Sequence, residues 1–286
     1  MRFGDSDIRL SLERFRLIRD LIKERYGIRL TDDNRYVVEN RLGERLAELR
    51  HDSFDEYYQY LRYHPQREQE LEEAVDALTT NETYFFREDY QLRSFANDIL
   101  PELRQRLQKR RRLMFWSAGC SSGEEAYTLA MLVLNSRLFS GWDVRIFGND
   151  INRRVIKKAR QGVYGPASFR TTDPLWIKRY FTETQDGMRI NDDVRAMCHF
   201  GHLNLLDPNQ IVFVSRADAI FCRNVLIYFD HDSKMKTISI LYDHLNPGGY
   251  LLLGHTESLI NVSTAFELVH LSEDLVYRRP EIGYGR

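Results

Sequence analysis

From Leu113 onward, short apolar runs alternate with stretches of helical periodicity, and few folds accommodate that rhythm. Leu113–Ala118 reads as a strand, followed by a glycine turn and a helix through Leu138. Asp143–Asn149 reads as a second strand and Ile151–Gln161 as a second helix. Asp218–Cys222 is a buried strand, followed by a helix from His231 to Leu245. Tyr250–Gly254 comes after the turn Asn246-Pro247-Gly248-Gly249, and Phe266–Val269 with Asp274–Arg278 predicts an antiparallel pair. Alternation of this kind implies a mostly parallel sheet with crossover helices on both faces. A polar stretch, Arg179–Gly201, interrupts it and carries Asp186-Gly187 as a hairpin turn, which predicts a small β insertion over residues 178–201.

The residues before Leu113 follow a helical period instead. Phe15, Ile18, Leu21 and Ile22 fall on one stripe, and Val38, Leu42, Leu46 and Leu49 on another. Thr31, Asp32 and Asp33 supply N-cap material for the second. Ser53–Tyr63 and Arg67–Leu78 add two short helices separated by Pro65. The expected organisation is an all-helical domain over 8–79, a linking helical segment over 80–112, and an α/β domain over 113–286.

Between the first strand and its helix lies Trp116-Ser117-Ala118-Gly119-Cys120-Ser121-Ser122-Gly123-Glu124-Glu125. A dinucleotide loop would offer bare helix N–H groups to a pyrophosphate. Here Glu124 and Glu125 open the helix and would repel a diphosphate. They suit a ligand carrying a sulfonium and an ammonium group, so the charge sign favours S-adenosylmethionine over NAD. Gly119-Cys120-Ser121-Ser122-Gly123 also fits a hydrolase nucleophile elbow, with Asp218 and His255 following in triad order. Such an elbow follows an interior strand of an established sheet, whereas only helices precede this one. A tight turn without a ligand is the plain reading of the loop. Asp150, at the next strand end and about 27 residues past Gly123, favours ribose binding over it, although Asp150 could equally cap the following helix.

Composition limits the rest. With 41 basic and 42 acidic residues the formal charge is −1, which argues against a general nucleic-acid binder. Cys120, Cys198 and Cys222 lack CxxC spacing, so neither a disulfide framework nor a thiolate zinc site is expected, and no metal is. The opening MRFGDSDIRL has no apolar leader region, and no apolar run reaches spanning length, so the expectation is a cytoplasmic protein.

Further segments resemble the bacterial chemotaxis receptor methyltransferase (CheR) family. Thr79-Thr80-Asn81-Glu82-Thr83-Tyr84-Phe85-Phe86-Arg87-Glu88 is similar to its TTN-x-T-x-FFRE motif, and Ser117–Glu125 to its cofactor loop. Phe147-Gly148-Asn149-Asp150-Ile151 resembles its ribose-binding strand end, Phe221–Asp230 its FCRN-V-x-IYF block, and Gly254-His255-Thr256-Glu257-Ser258 its late GH-[ST]-E segment. One departure is Ala126, where many members carry proline. The resemblance implies a class I S-adenosylmethionine methyltransferase, a Rossmann-like sheet preceded by a helical domain, that esterifies glutamates of chemoreceptors and releases S-adenosylhomocysteine. It implies cofactor contacts from Asn81, Thr83, Arg87, Gly119, Glu124, Asp150, Asn204, Leu205, Arg223 and Asn224, with Arg87 and Tyr228 at the reacting groups.

A glutamate substrate has a pKa of about 4.3 and is already a nucleophile at neutrality, so no catalytic His is needed. The expected partner is the acidic helical bundle of a chemoreceptor cytoplasmic domain. Arg41 and Arg45, spaced i and i+4, are candidates to dock it, against the alternative of a solvated face. The run Arg104–Arg112 reads as a solvated helix end. Binding of a tethering peptide by the insertion is expected to be weak or absent, because its turn is short. Nucleic-acid binding and membrane insertion are not expected. The alternatives are a small-molecule methyltransferase and a non-catalytic module that docks on receptors.

Overall fold

The computed structural model describes residues 9–281. Residues 1–8 lie outside the described residues; the absence of a leader rests largely on them, and Ile8 is the expected start of the helical domain. The chain divides into two compact units: residues up to Thr80 together with Tyr228–Asp230, and the remainder from Asn81.

Among the described residues the first unit contains four α-helices. α1 (Leu12–Tyr26) is capped by the Ser11 side chain, which accepts from Arg14 N–H, and ends on Gly27 in the left-handed region. Thr31 and Asn34 form a capping box around a short 3-10 turn that leads into α2 (Arg35–Leu49). Ser53 caps α3 (Phe54–Tyr63), and α4 (Arg67–Leu78) packs on both α2 and α3. Both apolar stripes point inward: Phe15, Ile18, Ile22, Val38, Leu42 and Leu46 are buried. Each such side chain contributes roughly 1.5–3 kcal/mol of burial.

In the second unit, α5 (Asp89–Ser94) continues through a π-turn at Phe95–Ile99 into α6 (Leu100–Arg106). β1 (Arg112–Ala118), α7 (Glu124–Ser136), β2 (Asp143–Asp150) and α8 (Arg153–Gln161) then follow in the expected alternation. Next come β3 (Val163–Tyr164), α9 (Pro174–Tyr180), β4 (Phe181–Thr184), β5 (Gly187–Ile190) and α10 (Asp192–Arg195). β6 (Cys198–His202), α11 (Pro208–Ile211), β7 (Ala217–Cys222), α12 (His231–His244), β8 (Leu245–Leu253), β9 (Glu267–His270) and β10 (Leu275–Arg278) complete it. The main sheet has seven strands in the order β6-β2-β1-β7-β8-β10-β9. Its first five strands pair in parallel, and β10 pairs antiparallel with both β8 and β9. The expected α/β class is therefore observed.

Four local expectations change. The segment 80–112 is no separate linker: Phe85, Leu92, Phe95, Ile99, Leu100 and Leu103 belong to the α/β core. There Phe95 meets Phe115 and Phe221 edge-on, with centroids 5.2 and 5.1 Å away. The β insertion is a three-stranded sheet, β3-β5-β4, whereas Cys198–Gly201 belongs to β6 of the main sheet. Asn246–Gly249 is a bulged part of β8 rather than a turn, because the register shifts between Ala217 and Ala219.

The fourth change concerns the basic run: residues 108–112 are exposed as expected, but four of its arginines are anchored to the unit. Arg104 donates to the Leu138 carbonyl at 2.8 Å and Arg106 to the Gly248 carbonyl at 3.1 Å. Arg110 pairs with the fully buried Asp218, and Arg112 reaches Asp143 at 3.0 Å.

Candidate active site at the carboxyl edge of the sheet

β1 has β2 on one side and β7 on the other, so the strand order reverses beside it. In open α/β sheets the crevice at such a point, beyond the carboxyl ends of the strands, is where ligands bind. Four segments of the second unit meet there.

The first is the glycine loop. Gly119 and Gly123 have φ of 77° and 93°, and Ser121 also lies in the left-handed region. A Cβ at 119 would overlap the Val225 side chain, and one at 123 would approach the Ala159 Cβ to 2.9 Å. Backbone conformation and close packing thus both require glycine. The N–H groups of Gly119 and Cys120 donate to the Asn149 carbonyl at 2.9 and 2.8 Å, which ties the loop to β2.

Asp150 ends β2 and is buried. One of its oxygens accepts from Ser121 N–H and the other from Asn152 N–H, both at 2.9 Å. Burial raises its pKa, and these backbone donors oppose the rise. Asp150 does not cap α8. Asn152 does, accepting from Arg154 and Val155 N–H at 2.9 and 3.2 Å. Leu203 N–H donates to the Asp150 carbonyl at 3.0 Å, which brings the buried Asn204 and Leu205 to the same edge.

The two glutamates that open α7 differ sharply. Glu124 is 1% exposed, with its oxygens occupied by Ser122 Oγ at 2.8 Å and Ser168 Oγ at 2.9 Å. Burial raises its pKa. It holds the loop from inside, which does not match the expected ligand contact. Glu125 faces the strand ends instead, accepting from Ser117 Oγ at 2.7 Å and pairing with Arg223 at 3.1 Å. Sequence reasoning missed Glu125, although it stands in the same quoted motif.

Arg223 follows β7, and its side chain is only 2% exposed. It pairs with Glu88 and Glu125, each at 3.1 Å, and donates to the Arg87 carbonyl at 2.5 Å. Its Nε is buried without an acceptor among the described residues. Asn224, left-handed at φ 58°, is held by Glu257, which accepts from Asn224 and Gly254 N–H at 2.8 and 2.7 Å. Glu257 is a second residue missing from the expected set.

The fourth segment is 81–88. The Asn81 carbonyl accepts from Ser121 Oγ at 3.2 Å, Thr83 is partly exposed, and Arg87 donates to the Glu82 carbonyl at 2.9 Å. Phe86 and Glu88 flank Arg87 with φ of 60° and 53°. Left-handed non-glycine residues at Phe86, Glu88, Ser121 and Asn224 therefore gather at one edge. Such strain persists where the surroundings over-determine the backbone, as in binding and catalytic sites.

Three further candidates belong to the helical unit. Tyr228 is 40% exposed and belongs to the helical unit, where its carbonyl accepts from Arg29 N–H at 2.7 Å. Arg41 donates to the Leu78 carbonyl at 2.6 Å, and Arg45 holds the buried Glu70 with two bonds, at 3.1 and 2.6 Å. Glu70 thus neutralises Arg45, whereas the Arg41 contact is to a carbonyl and leaves its charge in place. The hydrolase triad does not assemble. Asp218 accepts from Met114 N–H at 3.0 Å near the start of β1, whereas Ser121 follows the end of β1, and His255 contacts Tyr90 at 3.3 Å. Four residues of strand separate Met114 from Ala118, about 13 Å.

Residues 81–275 match the family described as "CheR methyltransferase, SAM binding domain", and residues 13–79 match "CheR methyltransferase, all-alpha domain". The "Chemotaxis protein methyltransferase 2" of Vibrio cholerae serotype O1 is 35% identical over 267 residues, 93% of this chain and 92% of that protein. The "Chemotaxis protein methyltransferase" of Salmonella typhimurium is 36% identical over 263 residues, 91% of this chain and 88% of that protein. The "Chemotaxis protein methyltransferase 1" of Pseudomonas aeruginosa is 34% identical over 272 residues, 92% of this chain and 97% of that protein.

Proposed function

Because the chain belongs to the CheR methyltransferase family, we propose that it methylates glutamate side chains of chemoreceptor cytoplasmic domains with S-adenosylmethionine, leaving methyl esters and S-adenosylhomocysteine. The observation that carries this reading is the strand edge where Asp150, Glu125 and the buried Arg223 converge at the topological switch.

The residues fit the cofactor's chemistry. The Asp150 oxygens accept backbone N–H groups of Ser121 and Asn152, and a carboxylate has further lone pairs to offer a ribose hydroxyl. Glu125, at the edge rather than inside the loop, suits an ammonium group and takes the place expected for Glu124. The Arg223 Nε–H is a buried donor without an acceptor, which suits a carboxylate. Asn204 and Leu205 border the same edge and are assigned to the adenine, with Asn81, Thr83, Gly119 and Asn224 completing the surround. When bound, S-adenosylmethionine supplies an electrophilic sulfonium methyl.

The substrate carboxylate is ionised at neutral pH, so the protein's task is placement and desolvation rather than proton removal. Arg87, anchored through its contact with the Glu82 carbonyl, is assigned to hold a carboxylate, and Tyr228 to orient the substrate.

The test is transfer of labelled methyl from S-adenosylmethionine to receptor-containing membranes, followed by mild alkali. A glutamate ester releases its label as methanol. Label that survives alkali would rule out the carboxylate as acceptor.

A further inference from the structure

The chain as a whole is almost neutral, at −1, yet α8 concentrates Arg153, Arg154, Lys157, Lys158 and Arg160 in nine residues without one acidic side chain. All five are exposed. This arrangement opposes the helix's own electrostatics. Two arginines occupy the first turn, where the macrodipole favours anions. Like charges recur at i and i+4 in Arg153–Lys157 and Arg154–Lys158, and each such pair costs a few tenths of a kcal/mol.

Arg153, Lys157 and Arg160 fall on one stripe and line an open groove of about 490 Å³ with Ile156, Gln161 and His202. Ile156 is buried and forms an apolar floor. Lys157 makes no ion pair among the described residues. Arg160 donates to the Phe200 carbonyl at 2.7 and 3.2 Å, which satisfies its donors and leaves its charge unneutralised. His202 Nε2 donates to the Ile151 carbonyl at 2.8 Å, which ties its ring to the end of β2. α8 leaves β2 directly after Asp150-Ile151-Asn152, and His202 ends β6. The groove therefore borders the strand edge that carries the candidate active site.

We propose that this face of α8 docks the acidic, glutamate-bearing helical surface of the methyl-accepting partner and sets its approach to the strand edge. This rests on the function proposed above. A protein whose reactive groups are glutamates presents negative charge by its own chemistry, and a cationic stripe beside the site attracts and orients it.

The test compares Lys157→Glu with Lys109→Glu, the same charge change just before β1, at the opposite end of the sheet. Initial methylation rates are measured against receptor-membrane concentration at low and high salt, with S-adenosylhomocysteine affinity measured alongside. Lys157→Glu is expected to raise KM at low salt about fivefold or more, with kcat and product affinity within about twofold of the parent. The difference should shrink at high salt, and Lys109→Glu should match the parent. Equal KM values for Lys157→Glu and the parent overturn the proposal, as does a fall in kcat or product affinity with KM unchanged. An unsubstituted protein that binds S-adenosylhomocysteine but transfers no methyl to receptors overturns the function itself, and the docking surface with it.

Discussion

Replacing Arg223 with Met removes two ion pairs and a hydrogen bond to the Arg87 carbonyl from a side chain that is 2% exposed. Removing one partner of a fully buried pair costs about 3–5 kcal/mol, because the remaining charge stays desolvated. Glu88 and Glu125 keep 18% and 15% exposure, so water relieves part of that penalty. The expected loss is therefore about 2–4 kcal/mol, with little cavity contribution because methionine fills much of the same volume. Adding Glu88→Gln and Glu125→Gln removes the orphaned carboxylates and should restore about half of the loss. All three tryptophans, Trp116, Trp142 and Trp176, lie in the α/β unit, so their fluorescence during urea denaturation reports that unit alone. A single variant within about 0.5 kcal/mol of the parent, or a triple variant less stable than the single, would refute this account of the network.

Glu124 and Arg45 give two further tests. Burial raises the Glu124 pKa from 4.5, so the fold binds that proton more tightly than the unfolded chain does. Stability should fall as pH rises from 4.5 through the raised value, and stay lowered above it. Asp150 and Glu257 are raised in the same direction, so Glu124→Gln should shrink that fall in tryptophan-monitored denaturation rather than remove it, and parallel pH profiles would contradict the assignment. Arg45→Met strips the buried Glu70 of its bidentate partner and leaves it with the Tyr57 hydroxyl at 2.8 Å. It should destabilise the helical unit by about 3 kcal/mol in far-UV circular dichroism. Unchanged helical stability with lost receptor methylation would return Arg45 to a docking role.

Strand and helix order was legible because burial imposes periods of two and 3.6 on the sequence, and β1, α7, β2 and α8 keep them. That 80–112 packs into the α/β core was not legible, for the opposite reason. Phe95, Ile99 and Leu103 repeat at helical spacing whether they pack on a sheet or bridge two domains, and periodicity does not name the surface they bury against. The arginine run was opaque for a related reason: its acceptors, Leu138, Gly248 and Asp218, are distant in sequence. At the site, the glycine loop and Asp150 followed from residue type and spacing. Which of two adjacent glutamates faces the ligand did not, because neighbours on a helix point about 100° apart and only the packed structure sets the phase. Arg41 and Arg45 read as one basic pair in sequence, but of the two only Arg45 has its charge met, by Glu70, 25 residues away.

Calorimetric titration with S-adenosylhomocysteine, beside NAD as a control, tests the central claim most directly. Binding of S-adenosylhomocysteine alone is expected, abolished by Asp150→Ala in a protein that remains folded. A folded parent that fails to bind it, or an Asp150→Ala variant with undiminished affinity, would contradict the assignment of the strand edge as a methyl-donor site.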